Sequence, residues 1–542
     1  MSKFPALARA SRWLPWILLL VVVADLARGI LPFAPVEGDE QACLNGLEIW
    51  SRHPALFPGA AYLYEIQPGS YQIIAQLQRW TGADYIVLFG VCTVLGATIF
   101  IALSSLILTR VTLLPIGWCA LIALCGQELV TAAYYLNTSA LAGAFVMGGI
   151  ALTMSRRPLW SLWLASLALA IGGWLRLDAL LITPTVLGLK LYTGLDGRRA
   201  LRQTAAISTI TLVILLGLLT LAHTSLSAAW INLRARGISG EWQPLIIKGP
   251  LVLSYVLFLT SFAGVALLVC RRQWHLLSVV VLGVVPSIFI YGRHFTTTKY
   301  LYYAAPFLLL PGLWLLRESL TLPTNRRWIG RLAFGTLIFA GLIESCIGLQ
   351  TSSAAYRRFD PAALSVTFAS GKRGEKTWAW GLGEGEIIPT DDAFRMRGAL
   401  AFAPEVWHRQ KVQILGEVHR LDVELSRPGT TYAVTSTYLS MVLVHAWLWR
   451  HGFMPGESQT FLRNETSHTT AWTAPGRTMT VVFINQTTTE AQEFSEATKH
   501  EGGMLFINDR GDLAFRHLAS DPVVWRQLSP VRNGLLTLYA HR

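Results

Sequence analysis

Leu14-Pro-Trp-Ile-Leu-Leu-Leu-Val-Val-Val-Ala-Asp-Leu-Ala-Arg-Gly-Ile-Leu31, followed at once by Pro32-Phe-Ala-Pro-Val-Glu-Gly-Asp-Glu-Gln-Ala42, is the stretch on which the fold turns. The first part is an apolar run of the length that crosses a lipid bilayer as a helix. Lys3, Arg9 and Arg12 precede it, and no small-residue cleavage site follows it, so it reads as a retained span with a cytoplasmic N-terminus. The second part is a sharp change of character. Glu37, Asp39 and Glu40 crowd together just beyond the end of the span. Carboxylates crowded at a low-dielectric boundary raise one another's pKa, and they can act as a base or hold a cation. The plainer alternative is a solvated acidic loop.

The rest of the chain extends the first reading. Ten further apolar runs lie near 84–109, 112–127, 134–154, 159–175, 177–193, 204–222, 249–269, 275–291, 300–317 and 329–349. The composition agrees, with 53% hydrophobic residues and only 14% charged, too apolar for a soluble globule. A net charge of +13 would fit a nucleic-acid binder, but its distribution excludes that. Residues 1–350 hold 25 Lys and Arg against 13 Asp and Glu, whereas the remainder is nearly balanced. With the N-terminus inside, Arg110, Arg156/Arg157, Arg198/Arg199/Arg202, Arg271/Arg272 and Arg317 with Arg326/Arg327 all fall on the cytoplasmic side. The segment 32–83 is then the first outer loop.

After about residue 350 the pattern becomes that of a soluble α/β domain. Thr431–Thr435, Thr478–Ile484 and Met504–Ile507 read as strands, and Tyr438–Arg450 as an amphipathic helix. The expected organisation is a membrane domain over 1–350 with about eleven spans, and an extra-cytoplasmic domain over 351–542. None of the six cysteines lies in that second domain, so it folds without internal disulfides.

Downstream of the acidic cluster, Asn45–Trp50 has helical apolar spacing, followed by Tyr64-Glu-Ile-Gln-Pro-Gly-Ser-Tyr71. Later come Tyr134-Tyr-Leu-Asn-Thr-Ser-Ala-Leu-Ala-Gly-Ala-Phe145, Trp174-Leu-Arg-Leu-Asp-Ala-Leu-Leu-Ile-Thr-Pro184 and Lys299-Tyr-Leu-Tyr-Tyr-Ala-Ala-Pro306. This order resembles the GT-C membrane glycosyltransferases, in particular the protein O-mannosyltransferase and aminoarabinose transferase superfamily. Members of that superfamily carry an Asp-Glu pair after the first helix, then a juxtamembrane helix and a Pro-rich turn into the second span. Asp39-Glu40 matches the pair, and Gln67-Pro68-Gly69 matches the turn. Two positions depart from the pattern: Gln67 stands where a Lys is usual, and Asn137 where an acid is common.

The resemblance implies transfer of a sugar from a polyprenyl-phosphate donor, with inversion, at the outer face of the cytoplasmic membrane. The acceptor would be a glycolipid, a protein or a cell-wall polymer. Asp39 is the expected base, with Glu40 positioning a substrate. Glu37, Gln67, Tyr71, Arg176, Asp178, Arg293, His294 and Lys299 complete the expected substrate-binding set. The donor is already a phosphate ester, so a divalent metal is allowed by this chemistry but not required, and no other cofactor is called for. Arg suits a bidentate grip on phosphate, and Lys a point-charge contact. Arg176 and Asp178 can equally form a local ion pair, and Lys299 can snorkel to the interface. The rival reading is a transporter or flippase of a lipid-linked saccharide. It would place its charges near mid-membrane and show paired broken helices, which the sequence does not.

Overall fold

The computed structural model of the chain describes residues 5–35, 38–52, 64–126, 129, 132–133, 136–155, 158–237, 253, 255–291, 297–321, 327–347, 349–351, 364–366, 404–435, 438–456, 467–484, 502–509, 525–528 and 536–541. The chain is mostly helical up to Ile347: α1 (Pro5–Ile30), α2 (Gly38–Arg52), α3 (Pro68–Thr81), α4 (Tyr85–Thr112), α5 (Ile116–Leu124), α6 (Ser139–Thr153), α7 (Pro158–Leu175), α8 (Thr185–Tyr192), α9 (Gly197–Leu221), α10 (Leu226–Gly237), α11 (Tyr255–Cys270), α12 (Trp274–Tyr291), α13 (Ala305–Leu320) and α14 (Arg327–Ile347). Each apolar run of the sequence overlaps a helix among the described residues. Among the described residues α4, α9 and α12 are each long and apolar enough to cross a bilayer by themselves.

The helices start and stop where local chemistry dictates. Asp84 Oδ1 accepts from the Ile86 amide at 2.7 Å and opens α4, and Asp196 Oδ1 accepts from the Arg199 amide at 2.9 Å and opens α9. The run predicted at 177–193 is broken: α7 ends at Leu175, and a 3-10 turn spans Leu177–Ile182 before α8 begins. The cause is tertiary, because the Leu177 amide bonds to Ile66 O at 2.8 Å instead of continuing the helix. Helix α4 meets α6 at Gly96, where a Cβ would lie 2.4 Å from the Leu141 backbone nitrogen. Backbones this close are the contact that small residues permit between membrane helices.

Among its described residues the C-terminal part is a mixed sheet with helices α15 (Pro404–Leu425) and α16 (Tyr438–Arg450). Its strands are β3 (Tyr432–Thr435), β4 (Met454–Pro455), β5 (Ser467–Ala474), β6 (Arg477–Ile484), β7 (Met504–Asp509), β8 (Trp525–Gln527) and β9 (Leu536–His541), in the order β4-β5-β6-β3-β7-β9-β8. A two-stranded ribbon precedes it, β1 (Leu349–Thr351) with β2 (Leu364–Val366). Strand β3 runs parallel to both of its neighbours, and the outer pairs are antiparallel. Alternation sends Ala433, Val481, Leu505 and Leu538 to the face covered by α15 and α16. Val434, Val482, Phe506 and Tyr539 form a second cluster with Trp525.

Helix α16 differs from the amphipathic expectation, since Ser440–Trp449 is buried throughout. The sheet covers one side and α2 the other. Two-sided burial needs apolar residues all round a helix, which is what the sequence Met-Val-Leu-Val-His-Ala-Trp-Leu-Trp supplies from Met441.

Candidate functional site

Helix α2 carries Asp39 and Glu40 and lies between the helical bundle and the C-terminal sheet domain. It is fixed from both directions. On the domain side, Asn45 Nδ2 donates to Val442 O at 2.9 Å and is itself held by Gln41 Nε2 at 2.9 Å. Arg52 Nη1 reaches Arg450 O at 3.1 Å. On the bundle side, Gly46 rests against the Tyr71 ring, and Leu44 and Leu47 join one cluster with Tyr71, Tyr85, Phe89 and Trp447.

Glu40 is only 2% exposed. One charge that acts on it comes from the sheet domain. Lys411 of α15 is buried and donates through Nζ to Gly29 O at 2.9 Å and Ile30 O at 2.7 Å, the carbonyls that end α1. Burial pulls its pKa down to about 8, against the opposing charge of Glu40. A cation at the C-terminal end of a helix also meets the negative end of the helix dipole.

Beneath α2, a chain of polar side chains crosses the junction of four elements. Gln67 Nε2 contacts Cys43 Sγ at 3.4 Å, and Gln67 Oε1 accepts from Thr138 Oγ1 at 2.7 Å. Arg176 Nη1 donates to Thr138 Oγ1 at 3.2 Å, and Arg176 Nε is forked onto Asp178 at 2.9 and 3.1 Å. Asp178 Oδ2 accepts in turn from Tyr291 Oη at 2.9 Å, at the end of α12. The turn that presents Gln67 is wedged close: a Cβ on Gly69 would lie 2.5 Å from the Trp174 ring, and Ser70 Oγ donates to Leu175 O at 2.7 Å.

The structure therefore brings Gln67, Arg176 and Asp178 into one network, with Glu40 on the helix above. Tyr71 is buried and packs beside Tyr64, ring centroids 6.2 Å apart. Asp39 lies in the first turn of α2, and Lys299 lies in the 3-10 turn Thr297–Ala304. Glu37, Arg293 and His294 lie outside the described residues. Thr138, Tyr291 and Lys411 were not anticipated. Thr138 stands beside Asn137 inside a quoted motif, but nothing local marks it as the bridge between positions 67 and 176.

Both departures from the family pattern have structural counterparts. Asn137 Oδ1 accepts from the Ala140 amide at 3.0 Å and its Nδ2 donates to Ala132 O at 2.6 Å. An ionised Asp has no donor for the second bond. Gln67 is 1% exposed, so a Lys there would bury a charge unless a partner came with it. Among the described residues no group of three or more His, Cys, Asp or Glu is placed to hold a metal ion.

The helical bundle, the clamped helix α2 and the C-terminal mixed sheet together have the GT-C fold, matched over 98% of the chain. Among the solved structures it resembles are two of ArnT from Cupriavidus metallidurans. Against ArnT bound to undecaprenyl phosphate the TM-score is 0.55 at 11% identity, with 98% of each chain covered. Against the apo state it is 0.53 at 12% identity with the same coverage. No protein-family model matches the chain, and no curated sequence does.

Proposed function

We propose that this protein transfers a sugar from a polyprenyl-phosphate carrier to an acceptor at the outer face of the cytoplasmic membrane. The observation that carries the reading is the buried Gln67–Thr138–Arg176–Asp178–Tyr291 network lying directly under the helix that bears Asp39-Glu40, in the fold of a protein whose solved structure holds undecaprenyl phosphate.

The chemistry needs a base for the acceptor and a cation for the departing lipid phosphate. Glu40 is buried and lies within the electrostatic reach of Lys411, so in this reading the base is Asp39 and Glu40 is a positioning residue of its helix. Arg176 meets the phosphate. Its side chain is 12% exposed and that of Asp178 only 1%, so a ligand reaches the guanidinium and not the carboxylate behind it. Asp178 and Tyr291 hold the planar group in one orientation, which is the preorganisation that charge stabilisation depends on. Arg293, His294 and Lys299 would add cations and hydroxyl-rich loop at the membrane surface, supplying the charge that Gln67 lacks.

Titration of the purified protein with undecaprenyl phosphate tests the donor half of this reading. Saturable binding is expected, weakened by about 1.5–3 kcal/mol in Arg293→Ala or Lys299→Ala, the range for a hydrogen bond to a charged group. Unchanged affinity in both variants would remove that loop from the site, and absence of saturable binding by the unaltered protein would overturn the proposal.

A further inference from the structure

At the end of the bundle far from Arg176, a cavity of about 230 Å³ opens between the last turn of α4, the end of α8, the α11–α12 turn and the end of α13. Its chemistry differs from that of the surrounding helix faces. Arg271, Gln273 and Tyr192 line one side, and Trp314, Arg317 and Glu318 the other. Two guanidinium groups thus face one carboxylate. Glu318 is paired with Arg317 and fixes it in place. The Tyr192 hydroxyl is spent on Val111 O at 2.7 Å, which ties α8 to α4 and holds the walls together.

The cavity is lined by the ends of helices, the level at which spans leave a bilayer. Leu113, at its rim, is 70% exposed, and Trp274, the first residue of α12, is 56% exposed. Indole rings concentrate at the level of lipid headgroups. Inside, Trp314 is 8% exposed and gives an apolar floor. A water occupies about 30 Å³ in the liquid, so the space accommodates several waters or one phosphate-bearing headgroup.

We propose that this cavity is a binding site for a phosphate group carried at the membrane surface, gripped by Arg271 and Arg317. Guanidinium is the side chain best matched to phosphate oxygens. Cationic pockets between spans at the cytoplasmic surface are where anionic headgroups lodge. The site stands at the opposite end of the helices from the proposed transfer site and does not depend on it. A phosphodiester lipid of the near leaflet and a soluble phosphate ester share this chemistry, and the experiment separates them.

The full-length protein is exchanged into vesicles of phosphatidylcholine containing a minor fraction of phosphatidylglycerol, then released and weighed by native mass spectrometry. Retention of phosphatidylglycerol over phosphatidylcholine is expected, falling about tenfold in Arg271→Gln/Arg317→Gln. It should persist in Arg199→Gln, which removes a 75% exposed arginine outside the cavity. Glycerol phosphate in excess provides the second arm: displacement assigns the site to soluble phosphate esters, and persistence assigns it to the lipid. Because the preference is first measured on the unaltered protein, misfolding of a variant does not blunt the test. Equal retention of the two lipids with no binding of glycerol phosphate overturns the proposal, as does an equal loss in Arg199→Gln.

Discussion

Two adjacent carboxylates at the start of α2 face different demands. Glu40 is buried near Lys411, and Asp39 is the base of the proposed transfer. Asp39→Asn keeps size and removes that basicity, so turnover should fall about 10²-fold or more while protein abundance stays level. Near-normal turnover in the purified variant would exclude Asp39 as the base. Arg176 makes a different prediction. Arg176→Gln strands the 1% exposed Asp178 carboxylate, a change that costs about 3–5 kcal/mol when a buried pair loses one partner. Adding Asp178→Asn should return much of that stability without returning donor binding. A double variant as unstable as the single one would show that the pair does not act as a unit.

Among the elements, α15 is the one whose contribution the sequence hid. Lys411 lies in a charged, polar-looking helix, and a lysine there reads as part of a solvated face. Its burial exists only because α15 packs on α1 across nearly 400 residues of chain. The hydropathy pattern did reveal the apolar runs and strands β3, β6 and β7, because local periodicity is enough to specify them. The Asp39-Glu40 pair stands out in the sequence as a short acidic motif beside an apolar run, and the structure adds its place at the start of α2. The partnership of Gln67, Thr138, Arg176 and Tyr291 does not stand out, since each residue comes from a different element and no sequence interval joins them. The clamp formed by Lys411 has a pH signature. Its folded pKa, about 8, lies below the ordinary 10.5. Between those values the unfolded chain holds more proton, so the folded state gains stability as pH rises through that window. Lys411→Met should abolish this gain in thermal unfolding. A pH slope identical in the variant would show that the ammonium is not buried as described.

At the scale of the whole molecule, the sheet domain is seated on α2, and through it the domain's core continues into Tyr71, Tyr85 and Phe89 of the bundle. That continuity requires the domain to lie on the same side of the membrane as Asp39. A reporter active only outside the cytoplasm should therefore work when fused after Arg542, and stay silent after Arg199 or Arg327. A silent C-terminal fusion would place Asp39 inside and remove it from any lipid-linked donor of the outer leaflet. The central claim, that the molecule moves a sugar onto an outer-face acceptor, is tested most directly by mass spectrometry of glycolipids and surface glycoproteins from cells lacking the protein. The account predicts that one sugar modification disappears, returns with the unaltered gene and does not return with Asp39→Asn. An unchanged set of glycolipids and glycoproteins, or full restoration by Asp39→Asn, would contradict it.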